Sequence, residues 1–201
     1  MKIAIPALLA TLALHSTSAQ AGWYETTEGC SALVITTATV ETISWSGECV
    51  NGKINGKGTS ILILKRKGRH LSFRYVGEKK QGQTEGRGTL YYASGHRYKG
   101  QWKNNKRHGQ GTMFFSNGDR YEGQWENNNR SGRGTYFYND GARYEGHWKN
   151  KRRNGMGTMY YTNGDRYAGE WSHGKKHGRG TFVFSFGNRV EQVWAHGTRR
   201  R

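Results

Sequence analysis

The side chains able to do chemistry fall into a few groups, and their spacing limits what each can do. Cys30 and Cys49 are the only cysteines among 201 residues. A metal site would need further ligands at suitable spacing, and none stand near them in sequence. A pair of free thiols would need a reducing compartment, and the first residues argue against one. Lys2 precedes an apolar run, Ile3 to Leu14, and a polar stretch then ends in Ala19-Gln20-Ala21. Residues 1–21 therefore read as a cleaved export signal, too short to span a bilayer, with no later transmembrane segment replacing it. The expected location is the periplasm or the extracellular space. There the two cysteines are expected to form one disulfide, closing a loop of about 20 residues and contributing roughly 3 kcal/mol on the chain-entropy estimate.

His108, His173 and His177 are candidates for metal ligation, but the first lies in a different sequence unit from the other two. A lone histidine in a turn is ordinarily solvated, so the expectation is no metal and no cofactor. Carboxylate pairs such as Asp119 and Glu122 recur along the chain with arginines beside them, a pattern that suits ion pairing better than acid–base work. No Gly-x-Ser-x-Gly elbow, phosphate-cradling Gly-x-x-x-x-Gly-Lys loop or His-Glu-x-x-His pattern occurs. Catalysis needs different groups converging on one point, whereas nearly every polar residue here is repeated. The non-repeated parts, 22–44 and 60–74, offer Glu25, Glu28, Glu41 and His70 without a nucleophile. The chain is expected not to be an enzyme.

Anion binding is the chemistry left. Formal net charge is +18 at neutral pH, of which Lys2 in the signal supplies one. Such a charge speaks to partners and solubility, not to fold. It is concentrated in Lys103, Lys106 and Arg107, then Arg130, then Lys149, Lys151, Arg152 and Arg153, then Lys175 and Lys176, and Glu126 is the one acid in these stretches. A neutral solvated turn would mix both signs. His108, His177 and the terminal Arg199-Arg200-Arg201 add to the same tendency. A second set, Arg97, Arg120, Arg143, Arg166 and Arg189, precedes an aromatic or apolar residue each time. It is expected to stack on aromatics or to pair with Asp119, Glu122, Glu145, Asp165 and Glu191.

The elements that position these residues follow from a repeat. Aligned on tyrosine, residues 75–97, 98–120, 121–143, 144–166 and 167–189 form five gapless units of 23 residues. A further unit begins at Trp45, and a half-unit from 190 keeps Trp194 in register. Tyr98-x-Gly100-x-Trp102 alternates like a short strand with both aromatics on one face. Gly109-x-Gly111-Thr112-Met113-Phe114-Phe115 reads as a second strand. Asn117-Gly118 follows, with Asp140-Gly141 and Asn163-Gly164 in its place further on. Asn-Gly between apolar strands predicts a hairpin turn with both residues at positive φ. Gly109 and Gly111 leave gaps in the second strand, and the tryptophans of neighbouring hairpins are the expected occupants. The 30 glycines, 7 Trp, 12 Tyr and 7 Phe fit short strands around a shared aromatic core rather than disorder. One face of Tyr91, Tyr92, Phe115, Tyr138, Tyr160 and Tyr161 is a candidate stacking platform.

Units such as Tyr121-Glu122-Gly123-Gln124-Trp125 … Gly132-Arg133-Gly134-Thr135 closely resemble the MORN (membrane occupation and recognition nexus) repeat, here in an exported, bacterial-type setting. The unit at 75 departs from it, with Lys79 where Trp is expected, and Cys49 holds that place in the unit at 45. Packing there is expected to be looser, or completed by the N-terminal segment and the Cys30–Cys49 bridge. The resemblance implies an all-β fold: an elongated single-layer array of stacked β-hairpins over 45–201, with a short N-terminal β cap at 22–44. In other proteins such arrays accompany lipid kinases, methyltransferases and cytoskeletal or junctional proteins, and are proposed to bind acidic lipids or to mediate dimerisation. The resemblance thus implies a recognition module and no single ligand.

Stacking should align the basic turns along one edge, a cluster about every 10 Å. The expected function is a non-catalytic scaffold docking on an anionic membrane surface, through acidic phospholipid or lipopolysaccharide phosphates, or on an acidic protein. The alternative is an assembly module that pairs its aromatic face or array end with a second copy or another protein. Nucleic acid ranks last, because an export signal makes contact with it uncommon.

Overall fold

The computed structural model describes residues 19–200, so most of the expected export signal, residues 1–18, and Arg201 lie outside it. Its strands are β1 (Gln20–Glu25), β2 (Ser31–Thr36), β3 (Thr39–Trp45), β4 (Glu48–Val50), β5 (Lys53–Arg66), β6 (Arg69–Lys80), β7 (Gln83–Tyr91), β8 (Arg97–Lys103) and β9 (Lys106–Phe114). Then follow β10 (Arg120–Glu126), β11 (Asn129–Phe137), β12 (Arg143–Lys149), β13 (Arg152–Tyr160), β14 (Arg166–Ser172), β15 (Lys175–Val183), β16 (Arg189–Ala195) and β17 (Thr198–Arg200). From β5 onward each strand pairs antiparallel with the next, giving one open, elongated all-β meander. β3 and β4 lie end to end along the other side of β5. β1 and β2 form a separate hairpin, joined to the array at Ser31↔Lys53.

The core is the inner face of this sheet, where the 23-residue period becomes a ladder of rings. Tyr98 meets Trp102 of its own unit at 5.1 Å and Trp125 of the next at 5.2 Å, both edge to face. Tyr121 repeats this with Trp125 and Trp148, and Tyr144 with Trp148 and Trp171. Each such pair adds about 0.5–1.5 kcal/mol beyond its buried area. Tyr98, Tyr121, Tyr144 and Tyr167 are fully buried. Burial is tolerable because the hydroxyls of the first three donate to the carbonyls of Gln101, Gln124 and His147 at a bulge in the strand.

Two local expectations need correction. The ring over Gly111 is Tyr98 of the same hairpin, since a Cβ there would overlap it. The next unit's Trp125 instead donates its indole N–H to the Gly111 carbonyl at 3.0 Å. Gly109 is no gap for a ring either: it sits at φ +58 in the bulge, beside the Gln101 side chain. The Asn-Gly turns also differ. Only Gly118 has positive φ, not Asn117, because Ser116 makes the loop one residue longer. Gly118 N–H donates to Phe115 O and Phe115 N–H to Asp119 O, the three-residue loop of a type I turn followed by a left-handed glycine. The tight turn with two positive φ values is at the other end of the hairpin, at Asn104-Asn105 (49° and 63°), Asn127-Asn128 and Asn150-Lys151.

The extra residues near 61–74 lengthen β5 and β6 into a long hairpin closed by Lys67-Gly68. The β1–β2 hairpin lies against its inner face, where Cys30, Ala32, Val34, Ile43, Trp45 and Ile54 form a second apolar cluster. Cys30 and Cys49 are joined in a disulfide, which ties this hairpin to the first unit of the array. β1 begins at Gln20 and β3 runs on to Trp45, so both sequence boundaries, 21/22 and 44/45, fall inside strands.

Candidate functional site

The two-residue turns at the Asn104-Asn105 end stack into one continuous edge. Asn128 N–H donates to Arg107 O, Lys151 N–H to Arg130 O, Gly174 N–H to Arg153 O and Gly197 N–H to Lys176 O, at 2.9–3.1 Å. The backbone ladder therefore carries on through the turns, and equivalent positions repeat one unit apart, about 10 Å at two strand spacings.

The ten basic residues singled out by sequence divide into two groups on this edge. Lys103, Lys106, Lys149, Lys151, Arg152 and Lys175 are exposed. Arg107, Arg130, Arg153 and Lys176 turn inward instead. Arg107 lies 4.6 Å over Trp125, Arg130 4.5 Å over Trp148, Arg153 4.2 Å over Trp171 and Lys176 4.5 Å over Trp194. The three guanidinium groups also donate to the carbonyls of Asn128, Lys151 and Gly174 in the neighbouring turn. Burial lowers the pKa of Arg130, and burial with the nearby Arg153 charge lowers that of Lys176. These four cap the aromatic ladder. Sequence reasoning grouped them with the exposed six. The signal that separates them is cross-strand pairing: Arg153 lies opposite Trp148, and paired residues share a face.

Glu126, the acid of these turns, is exposed and accepts from Ser131 Oγ at 3.3 Å. On the outer face, Arg97, Arg120 and Arg143 lie 4.1, 4.2 and 3.9 Å over Phe114, Phe137 and Tyr160. Arg120 and Arg143 pair with Glu122 and Glu145. The aromatic residues Tyr92, Phe115, Tyr138 and Tyr161 pack against the ladder, while Tyr91 carries Arg74 at 3.9 Å. Of the histidines, His177 faces His196 with ring centroids 5.0 Å apart, and His173 contacts Ser172. Among the described residues no group of three or more His, Cys, Asp or Glu could hold a metal ion, and no helix is long and apolar enough to cross a membrane.

One feature was legible in sequence only as a departure. Where the ladder should hold Trp, Lys79 places its ammonium 4.9 Å over Tyr75 and donates to Thr84 Oγ1 at 2.9 Å. A cleft of about 380 Å³ opens there between β2 and the inner face of β5–β8. Of the two alternatives expected at this position, the cleft corresponds to looser packing, and β2 of the N-terminal segment forms one of its walls.

A hydrogen-bonded meander whose surface groups recur unit by unit defines a repeat protein. The MORN repeat family matches residues 45–61, 75–97, 98–120, 121–143, 144–166 and 167–189, and the chain belongs to that family, a non-enzymatic repeat module. No curated protein matches the chain. The disulfide is compatible with an oxidising, exported location.

Proposed function

We propose that the protein is a non-catalytic, exported scaffold whose turn edge docks on anionic surfaces, namely the phosphates of acidic phospholipid or lipopolysaccharide. The observation that carries this reading is the exposed part of the basic set, six residues of the ten. Lys103 and Lys106 lie at the turn at 104–105, Lys149, Lys151 and Arg152 at the turn at 150–151 and Lys175 at the turn at 173–174, all bonded in register. The turn at 127–128 between them carries Glu126, the one acid. A flat charged surface is met by a row of cations better than by a pocket. Near an anionic membrane each basic residue contributes about 1 kcal/mol, so a row of six supports useful, salt-sensitive affinity.

The test is co-sedimentation of the purified protein with neutral and with anionic vesicles, at low and at high salt. Binding is expected only to anionic vesicles and only at low salt. Replacing Lys149, Lys151 and Arg152 together with Gln should weaken it at least tenfold without changing the circular dichroism. Arg153 is left in place because it packs on Trp171. Unchanged binding by the triple variant would refute the edge as the docking surface. No sedimentation under any condition would move the reading to a protein partner, with the charge serving solubility.

A further inference from the structure

The cleft beside Lys79 reaches the turn edge at Asn105, between Lys103 and Lys106, but lies apart from Lys149, Lys151, Arg152 and Lys175 and has a different chemistry. Its walls are apolar: Ala32 and Val34 of β2 face Leu62, Leu64, Phe73 and Leu90 of the array. The lining follows β6 from Leu71 to Lys79, about 26 Å at the rise of an extended strand. A volume of about 380 Å³ spread over that length makes a narrow trough, suited to one extended chain rather than a fused ring system. It falls at the small end of ligand sites, which are typically apolar with a few placed polar groups.

Three of those polar groups, Lys79, Thr84 and Asn105, gather at one end. Lys79 Nζ is held over the Tyr75 ring and bonded to Thr84 Oγ1. Among the described residues, no carboxylate lines the cleft. Burial lowers the Lys79 pKa to about 8, the mark of an ammonium short of both water and counter-ion. Asn105 lines the same end. Its Oδ1 accepts the Thr84 N–H at 2.6 Å, which fixes the amide orientation, and its Nδ2 is buried with no partner. At this end one cation and one free amide donor match a singly charged oxygen head, while Arg66 lines the cleft toward the opposite end.

We infer that this cleft binds a single-chain carboxylate amphiphile, the alkyl chain lying along the Leu62–Phe73 floor and the carboxylate meeting Lys79 Nζ and Asn105 Nδ2. The departure from the repeat at Lys79 then has a function: a tryptophan there would continue the ladder and plug the trough, whereas lysine opens it and supplies the charge. The β1–β2 hairpin, held by the disulfide and by the Leu33 N–H to Gly82 O bond, forms the opposite wall.

Isothermal titration of the purified protein with octanoate, decanoate and dodecanoate, each below micelle formation, tests this. Saturable binding of one equivalent is expected, strengthening about fourfold per methylene as the chain is buried. Lys79→Met keeps an apolar wall and should weaken carboxylates at least tenfold while leaving dodecanol binding unchanged. Lys79→Trp should abolish binding of both. A dodecyl trimethylammonium probe should bind less well than dodecanoate. The turn-edge variant at Lys149, Lys151 and Arg152 should bind dodecanoate normally, which separates this site from membrane docking. The inference is overturned by the absence of saturable binding, by affinity that ignores chain length, or by Lys79→Met binding carboxylates as well as the parent. Binding lost in the turn-edge variant would overturn it too, as nonspecific attraction to surface charge.

Discussion

At the scale of single residues, neighbours of one type do opposite things. Arg152 and Arg153 are adjacent, yet the first is exposed and the second lies over Trp171 with a hydrogen bond to the Gly174 carbonyl. Removing Arg153 strips a desolvated cation–π contact and leaves a carbonyl without its donor, so Arg153→Gln should cost about 2–3 kcal/mol. Arg152 is exposed, so Arg152→Gln should stay within about 0.5 kcal/mol. Urea denaturation midpoints measure the difference directly. Equal midpoints would mean that the inward arginines do not support the ladder, and all ten basic residues would return to a single class. The sequence made the charge and its period legible, because both are properties of residue type. It did not make the division legible, since that depends on which two residues occupy the turn. Once Asn150-Lys151 is the turn, Trp148 pairs with Arg153 and Lys149 with Arg152, and the faces follow. The cleft had a weaker trace: Lys79 and Cys49 were visible as replaced tryptophans, but a tryptophan missing from a list does not say what covers the space.

At the scale of the hairpin, glycine positions that look alike in sequence carry different loads. Gly111 lies under the Tyr98 ring in the closed core, where an added Cβ would collide with ring atoms that cannot move without disturbing Trp102 and Trp125. Gly118 lies in a loop at φ +91, with Asn139 as its nearest neighbour. Gly111→Ala is expected to cost about 3 kcal/mol by overpacking, and Gly118→Ala about 1–2 kcal/mol by backbone strain. Thermal denaturation of the two variants checks the order, and a larger loss at Gly118 would show that the loops, not the ring-over-glycine contacts, hold the units together. Strand positions were readable because the 23-residue period admits little else. The turn types were assigned to the wrong ends because Asn-Gly is a strong signal for a two-residue turn only when the flanking strands close directly on it. Here Ser116 adds a residue, while the plainer Asn104-Asn105 makes the tight turn.

Across the whole molecule, each unit touches only its neighbours, so stability is shared along one line of rings rather than around a centre. The buried tyrosines make that line sensitive to alkali. Burial raises the pKa of Tyr75, Tyr98, Tyr121 and Tyr144 well above the ordinary tyrosine value, and raises that of Tyr167 to about 12. Nearby Arg107, Arg130 and Arg153 pull three of these partly back. In the unfolded chain the same phenols titrate near about 10. The folded state thus holds more protons above that pH, so the tyrosines' contribution is whole below about pH 10 and is lost progressively as pH rises toward their folded values. Because the five sit at the same position of successive units, their losses fall on one cooperative structure. The array should unfold in a single steep transition above about pH 10, with phenolate absorbance and far-ultraviolet circular dichroism changing together. Tyr121→Phe removes one titrating group from the middle of the line and should make the pH dependence shallower, at the cost of the hydroxyl's bond to Gln124. Phenolate appearing near its ordinary pH while the strand signal persists would mean that the rings open to solvent one at a time, and that the ladder does not act as a continuous core.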